Sequence, residues 1–327
     1  MTRNIIAKIL DSTFAPTALA LFSDLMFVLI DGVVQVLEEE HGIPTGQIVF
    51  IRMVSTLIFC FVYLSYTHPS FLKESTKSPK APLIWVRGVN NSLVIILMYA
   101  SLLYITLSEC TVILHLRPFP VGLLCFLILR ERFSIVQLVA SIISFHAVIL
   151  VIQPSSLFHP HDPSPSHNRA LGFTLAILST LTSSVDFLLL RKIGKVDPIL
   201  ILGVFACTAL LLGPLQMVVF HISPVLDLTA KVWGLLTTVA VCGFLAQVAI
   251  VLSLQRASGG SIAILGYLQV VFAMIIQWLF VREMPNWLAG LGMGVIVLAG
   301  IWSAYGTEKL EMGDQGEIER LLAGEES

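Results

Sequence analysis

Along its length the chain alternates long apolar runs with short polar breaks. An α-helix needs ~20 apolar residues, at 1.5 Å each, to cross the ~30 Å hydrocarbon core of a bilayer. Against that length the pattern predicts ten spans, at 14–37, 44–66, 83–105, 107–129, 134–152, 170–190, 198–220, 232–253, 260–281 and 286–305. The first is the most diluted, because Asp24, Asp31 and Gln35 fall within it. The expected fold is an all-α integral membrane protein. Between spans five and six, QPSSLFHPHDPSPSHNR (153–169) is rich in proline and serine without an apolar period, and reads as a linker.

The pattern also repeats. RPFPVGLLCFLILRERFSIVQLVASIISFHAVILVI from Arg117 aligns without gaps on QVVFAMIIQWLFVREMPNWLAGLGMGVIVLAGIWSA from Gln269. Arg130-Glu131 then falls on Arg282-Glu283 and Ala147 on Ala299, while Pro44 and Pro198 hold matching places after the first span of each half. Five spans per copy places the second copy upside down relative to the first. The fold predicted is two inverted five-helix repeats, at 14–152 and 170–306. They are flanked by a cytoplasmic N-terminus (1–13), a non-cytoplasmic linker (153–169) and an acidic cytoplasmic tail (307–327). Inverted repeats of this kind place a substrate site near the midplane of secondary transporters.

Composition supports lipid as the solvent. The chain is 56% hydrophobic and only 12% charged, with a mean hydropathy of +0.90. Soluble domains carry about 25% charged residues, so this chain lacks the polar material to cover a globule. All five cysteines fall inside predicted spans and read as small apolar residues, not a disulfide framework. Met1–Asp11 is polar and the first span is long, which reads as an anchor and not a cleavable leader. With the N-terminus cytoplasmic, all but five of the 19 Lys and Arg fall on the cytoplasmic side. Arg169, Lys231 and Arg282 lie opposite, and Arg52 and Arg117 lie within spans. That asymmetry follows the positive-inside rule and places both termini in the cytoplasm. Whether the membrane is the plasma membrane or an internal one stays open.

The stretch RGVNNSLVIILMYASLLYITLSECTVILHLRPFPVGLLCFLILRERFSIVQLVASIISFHAVILVIQP resembles the EamA-type half of the drug/metabolite transporter superfamily. It is most similar to the group G branch of solute carrier family 35. The resemblance rests on Arg87-Gly88 opening span three, Pro118 ahead of the Leu129-Arg130-Glu131 stop, Tyr267-Leu268-Gln269 in span nine and Glu283 closing it. It covers about residues 14–306 and implies transport of a small metabolite without naming one. Two departures stand out. Glu109-Cys110 replaces the usual Asp-Ala, and Val270 replaces the proline expected in the second copy, so the two halves need not bend alike.

Embedded charges carry the candidate chemistry. A charged side chain at the bilayer centre costs about 2.5–3.5 kcal/mol on insertion scales, so it faces a partner or a cavity. Arg117 in span four and Arg52 in span two enter from the same side and are expected at similar depth, roughly 12 Å down by helical rise. Two readings stay open for them. One is structural pairing, Asp31 with Arg52 and Glu109 with Arg117. The other is an anionic substrate held by a guanidinium, whose planar fork grips carboxylate or phosphate with two donors. Candidate substrate contacts are Arg52, Arg117, Glu109 and His115, with Tyr267 and Gln269 from the resemblance. Four acids against two bases leave carboxylates to spare, and Asp24, Asp31 or Asp186 could pair ions or carry a coupled proton. Pro118 removes a backbone hydrogen bond, so a kinked span can turn its carbonyls toward a pathway.

Weaker signals complete the reading. Glu131 and Glu283 end helices at the interface, as anchors or as gates. Gly290 and Gly294 form a GxxxG face that serves bundle packing or a homodimer. The linker histidines sit among prolines without ligand spacing, and no metal, cofactor or nucleic-acid partner is implied. Glu317, Leu321 and Leu322 match an acidic dileucine pattern in a tail that equally reads as solubilising. No HExxH or GxSxG signature supports an enzyme. The expected function is a secondary transporter of a small polar, anionic metabolite. The alternatives are a non-transporting receptor or scaffold and, least favoured, a membrane enzyme.

Overall fold

The computed structural model describes residues 15–67, 78–130, 134–154, 157, 168–219, 223–281 and 286–303. Each of the ten predicted spans is helical. The elements are α1 (Ala15–Glu39), α2 (Thr45–Thr67), α3 (Ala81–Leu102), α4 (Leu107–Leu114), α5 (Pro118–Leu124) continued by a π-helical turn (Cys125–Leu129), and α6 (Ile135–Ile152). The second half holds α7 (Arg169–Ile193), α8 (Pro198–Ala209), α9 (Leu212–Val219), α10 (Ala230–Leu254), α11 (Gly259–Leu265), α12 (Leu268–Val281) and α13 (Trp287–Ser303). Nine of the resulting stretches among the described residues are long and apolar enough to cross a bilayer, and α13 is a shorter apolar helix. Despite its acids, α1 is one uninterrupted helix of 25 residues.

Local chemistry sets the starts and stops. Thr106 and Glu109 form a capping box at the head of α4, and Ser258 caps α11 by accepting from the Ser261 N–H at 3.3 Å. Ser134 and Gln137 form a second box on α6, and Asn286 accepts from the Ala289 N–H at 2.8 Å at the head of α13. Thr106 with Ser258, and Ser134 with Asn286, stand at the same sequence offset that aligns Arg130 with Arg282. The repeat thus preserves its N-caps, each satisfying backbone donors that a helix start leaves free. Arg130 ends the π-turn in the left-handed region at φ 56, which stops span four where its Arg-Glu-Arg stretch begins.

Three spans predicted as continuous are broken. Span four parts at His115–Arg117, span seven between Ala209 and Leu212, and span nine at Gly266–Tyr267. At the first break Leu116 N donates to Ile113 O (3.0 Å) and Arg117 N to Leu114 O (3.2 Å). At the last, Tyr267 N donates to Ile264 O (3.1 Å) and Val270 N to Tyr267 O (3.2 Å). These are tightened 3₁₀-type bonds. Span nine therefore interrupts its helix without the proline of span four, so the halves bend more alike than Val270 suggested.

Packing follows the repeat. The two most extensive helix pairs are α1 along α10 and α3 along α7. Exchanging spans one to five for six to ten maps one pair onto the other. The same exchange maps the α3–α8 contact onto α10–α2, and the contacts of α7 with α4 and α5 onto those of α1 with α11 and α12. Small side chains sit at the crossings, among them Ala20, Ala147, Ala176, Ala206 and Ala246, all buried. Large apolar ones such as Phe61, Leu127 and Leu298 point outward. That is the inside-out arrangement of a bundle in lipid, where close backbone approach replaces the hydrophobic drive.

Candidate substrate cavity

Between the α1/α10 pair and the α3/α7 pair lies a cavity of ≈ 170 Å³. Its polar lining comes from both pairs and from broken spans four and nine. Asp24 (α1) and Gln247 (α10) face Arg87 and Asn91 (α3) and Ser183 and Asp186 (α7), while Arg117 and Gln269 enter from spans four and nine. Arg117 and Gln269 are equivalent positions of the repeat. Just before them, the equivalent His115 and Tyr267 stack ring on ring, 6.1 Å between centroids and 26° apart in plane. The two interruptions therefore meet and present their next polar residues to one space. His115 Nδ1 lies 2.7 Å from Thr111 O, and because a carbonyl only accepts, that nitrogen carries the proton. His115 Nε2 and the Tyr267 hydroxyl are buried without a hydrogen-bond partner among the described residues.

Two arginines in this cavity are held differently. Arg87 is 1% exposed and donates from Nη2 to Asp186 Oδ2 at 3.1 Å, with its Nε 3.1 Å from Oδ1. Its guanidinium also lies over the Phe205 ring, 5.6 Å from the centroid. Among the described residues Arg117 has only a long 3.5 Å contact from Nη1 to Ser183 Oγ and a seat over the Phe187 ring at 5.2 Å. Its charge acts on Asp24 and Asp186, but no ion pair within 4.0 Å joins Arg117 to an acid among the described residues. Asp24 is 8% exposed, and its Oδ2 has no hydrogen-bond partner among them either.

Several expected pairings are corrected. Glu109 does not reach Arg117. It pairs with Arg169 at the head of α7, and Arg169 also lies over the Phe173 ring at 5.7 Å. Four embedded acids therefore face four arginines, not two. Two pairs are closed (Arg87–Asp186 and Arg169–Glu109) and two interact only at a distance (Asp24 with Arg117, Asp31 with Arg52). Arg52 does not line the cavity. It lies against Gly243 of α10, where an added Cβ would come within 2.5 Å of its Nε. Asp24 and Asp31, the acids opposite the two arginines, are seven residues apart on α1, roughly 10 Å of helix. The two arginines thus have different acids as counterparts, and only Arg117 lines this cavity. Asp31 is exposed and outside the cavity lining.

The sequence reading missed Arg87, Asn91, Ser183 and Gln247. Arg87 was counted among cytoplasmic charges because it stands near the start of span three, yet it is about 9 Å into α3 and buried. Asn90-Asn91-Ser92, a glycosylation sequon by pattern, lies inside the same helix, with Asn90 donating to Thr182 O at 3.0 Å. An added Cβ on Gly290 or Gly294 would meet nothing within 4 Å, whereas one on Gly292 would come 2.8 Å from Ala147 O. Gly292, not the GxxxG face, packs α13 onto α6. Glu131, Glu283, the linker histidines and the dileucine pattern lie outside the described residues. Among the described residues no group of three or more His, Cys, Asp or Glu could hold a metal ion.

A helical bundle with a polar cavity between two repeated units defines a multi-pass membrane protein, and comparison with known proteins gives its family. The EamA-like transporter family matches twice, over residues 17–153 and 170–305, and the chain belongs to that family. It is 27% identical over 272 residues to the Probable transport protein YPL264C of Saccharomyces cerevisiae, covering 78% of this chain and 77% of that one. It is 25% identical over 281 residues to human Solute carrier family 35 member G1, covering 83% and 73%. That match bears out the likeness to the group G branch. The Pseudopaline exporter CntI of Pseudomonas aeruginosa is 23% identical over 293 residues, covering 90% of this chain and 97% of that protein. A solved crystal structure shares the fold with a TM-score of 0.77 at 14% identity, covering 92% of this chain and all of that one.

Proposed function

We propose that this membrane transporter moves a small polar, anionic metabolite by alternating access between its two inverted repeats, with Arg117 as the residue that holds the solute. The observation that carries the reading is the state of Arg117. It stands at a helix break in a polar cavity, with a single long hydrogen bond and no closed ion pair among the described residues. A guanidinium left open in lipid-embedded protein is costly unless a ligand completes it. Relatives named as a transport protein, an exporter and a solute carrier support solute movement. The distribution of Lys and Arg supports cytoplasmic termini. Gln269 at the matching break supplies a neutral donor and acceptor, and the His115–Tyr267 stack joins the two breaks. Mutual rocking of the α1/α10 and α3/α7 pairs would expose the cavity to either side in turn.

The test is flux in proteoliposomes with labelled carboxylates, phosphates, neutral polar solutes and amines. Uptake of an acid that is abolished in Arg117→Gln and partly restored in Arg117→Lys supports the reading, because an ammonium lacks the two-donor fork. Undiminished flux of every transported acid in Arg117→Gln overturns it.

A further inference from the structure

The two ends of the bundle differ, although the repeat makes them equivalent. Two hydrogen bonds fix the register between the halves. Ser23 Oγ donates to Ala246 O at 2.9 Å, and Ser179 Oγ donates to Val94 O at 3.0 Å. Ser23 thus matches Ser179, and Val94 matches Ala246 at the offset that aligns Arg117 with Gln269. In these registers Arg191 matches Gln35, Leu254 matches Leu102 and Gly259 matches Leu107, while Val121 and Cys125 match Ala273 and Gln277.

At the end where α7 and α10 stop, these positions are joined. Arg191 Nη1 donates to Leu254 O at 3.0 Å, a cation set against the carbonyls that a helix C-terminus leaves unbonded. Gln255 Nε2 donates to Val196 O at 2.8 Å across the same boundary. α11 packs on α5, and an added Cβ on Gly259 would come 2.7 Å from Cys125 Sγ. Val121, Cys125, Leu254 and Gly259 are all buried, and Leu190, Leu254 and Ile262 line the cavity at this end. At the other end the matching positions stand apart. Gln35 is exposed and donates to Glu39 Oε1 of its own helix at 2.9 Å. Leu107, Ala273 and Gln277 are exposed, and α4 and α12 form no extensive pair among the described residues.

We infer that this is the state closed at the Arg191 end, that Arg191 and Gln255 latch it, and that Gln35 closes on Leu102 O when the opposite end shuts. The inference rests on the alternating-access reading and adds the gates. With cytoplasmic termini, the latched end is the cytoplasmic one. Arg191 and Leu254 belong to different helix pairs, as do Gln35 and Leu102, so leaning the pairs together at one end parts them at the other. The latches also differ in strength. A guanidinium on a carbonyl outweighs a neutral amide on a carbonyl, so the protein without solute rests closed at the Arg191 end.

Cys125 is a native reporter of this gate, because labelling of a buried thiol follows the fraction of time its site is open. Purified full-length protein in nanodiscs is treated with a water-soluble maleimide, and modification is read residue by residue by mass spectrometry. The Ala273→Cys variant reports on the other end in the same way, and a melting curve checks that each protein is folded. Labelling is expected to be slow at Cys125 and fast at the thiol introduced by Ala273→Cys. Arg191→Gln is expected to speed Cys125 labelling about fivefold or more, the scale of one charge-assisted hydrogen bond, and to slow labelling at position 273. Gln35→Arg supplies the missing cation at an exposed position and is expected to move both thiols in the same directions, which keeps the test decisive if Arg191→Gln does not fold. Faster labelling of Cys125 alone, with position 273 unchanged, is local loosening of a structural clasp and overturns the inference. No change at either thiol in the folded variants overturns it too, and leaves alternating access and the Arg117 reading standing. Both thiols speeding together would mean that the ends do not alternate, and removes the alternating-access reading and this inference with it.

Discussion

Arg87 and Arg117 line the same cavity, and each has an aspartate as its electrostatic counterpart, yet only Arg87 closes on it. Arg87 meets Asp186 at 3.1 Å with an aromatic ring beneath it, and both members are buried. Arg117 has its ring and one long hydroxyl contact, with Asp24 held at a distance. The helices explain the difference. α3 and α7 run side by side over most of their length, so residues on their facing surfaces close naturally. Arg117 stands where span four is interrupted, Asp24 belongs to the other helix pair, and both line the cavity between the pairs. A closed pair between two closely packed helices suits a scaffold. An open pair split between units suits a site.

The largest effect expected from this contrast is on the closed pair. Arg87→Gln leaves Asp186 buried without its partner and should cost about 3–5 kcal/mol, read as a large fall in melting temperature of the purified protein. The double change with Asp186→Asn should recover most of that loss, because no stranded charge remains. A single variant that melts like the wild type but binds no solute would move Arg87 from scaffold to site.

A smaller effect concerns the heads of the two broken spans. Thr106→Ala removes the capping-box acceptor of α4, and Ser258→Ala removes the matching acceptor of α11. Each should cost about 1 kcal/mol, read as a modest drop in melting temperature. The comparison sharpens if both variants keep their ligand affinity, because the caps then hold the breaks in place without touching the solute. A loss of affinity equal to that of Arg117→Gln in either would mean the helix heads themselves form the site.

How much of this was legible in the sequence depended on range. The spans were, because membrane helices announce themselves by length and apolar content, and the observed ends fall within a few residues of those expected. The repeat was legible too, and the structure adds N-caps at the same offset. The break in span four could be read from Pro118, but its counterpart could not, since Gly266-Tyr267 carries no comparable signal. Partners were the hardest to read. Glu109 was matched with Arg117 because both lie in span four, yet residues eight apart on a broken span need not face each other, and Arg169 waits at the same end on the neighbouring helix. The pattern of apolar runs puts Arg87 among the cytoplasmic charges, from its place near a helix start. Counting residues gives depth along one helix and says nothing of the neighbour that the side chain meets.

The most direct measurement is a pair of double-mutant cycles run for stability and for ligand binding together, one on Arg87 and Asp186 and the other on Arg117 and Asp24. The account predicts a large stability coupling in the first cycle. In the second it predicts a clearly smaller coupling, with Arg117→Gln losing less stability than Arg87→Gln because no contact is broken, while solute binding is lost. A stability coupling between Arg117 and Asp24 as large as that between Arg87 and Asp186, with binding restored in the double variant, would contradict it, because the open pair would then be one more structural bridge.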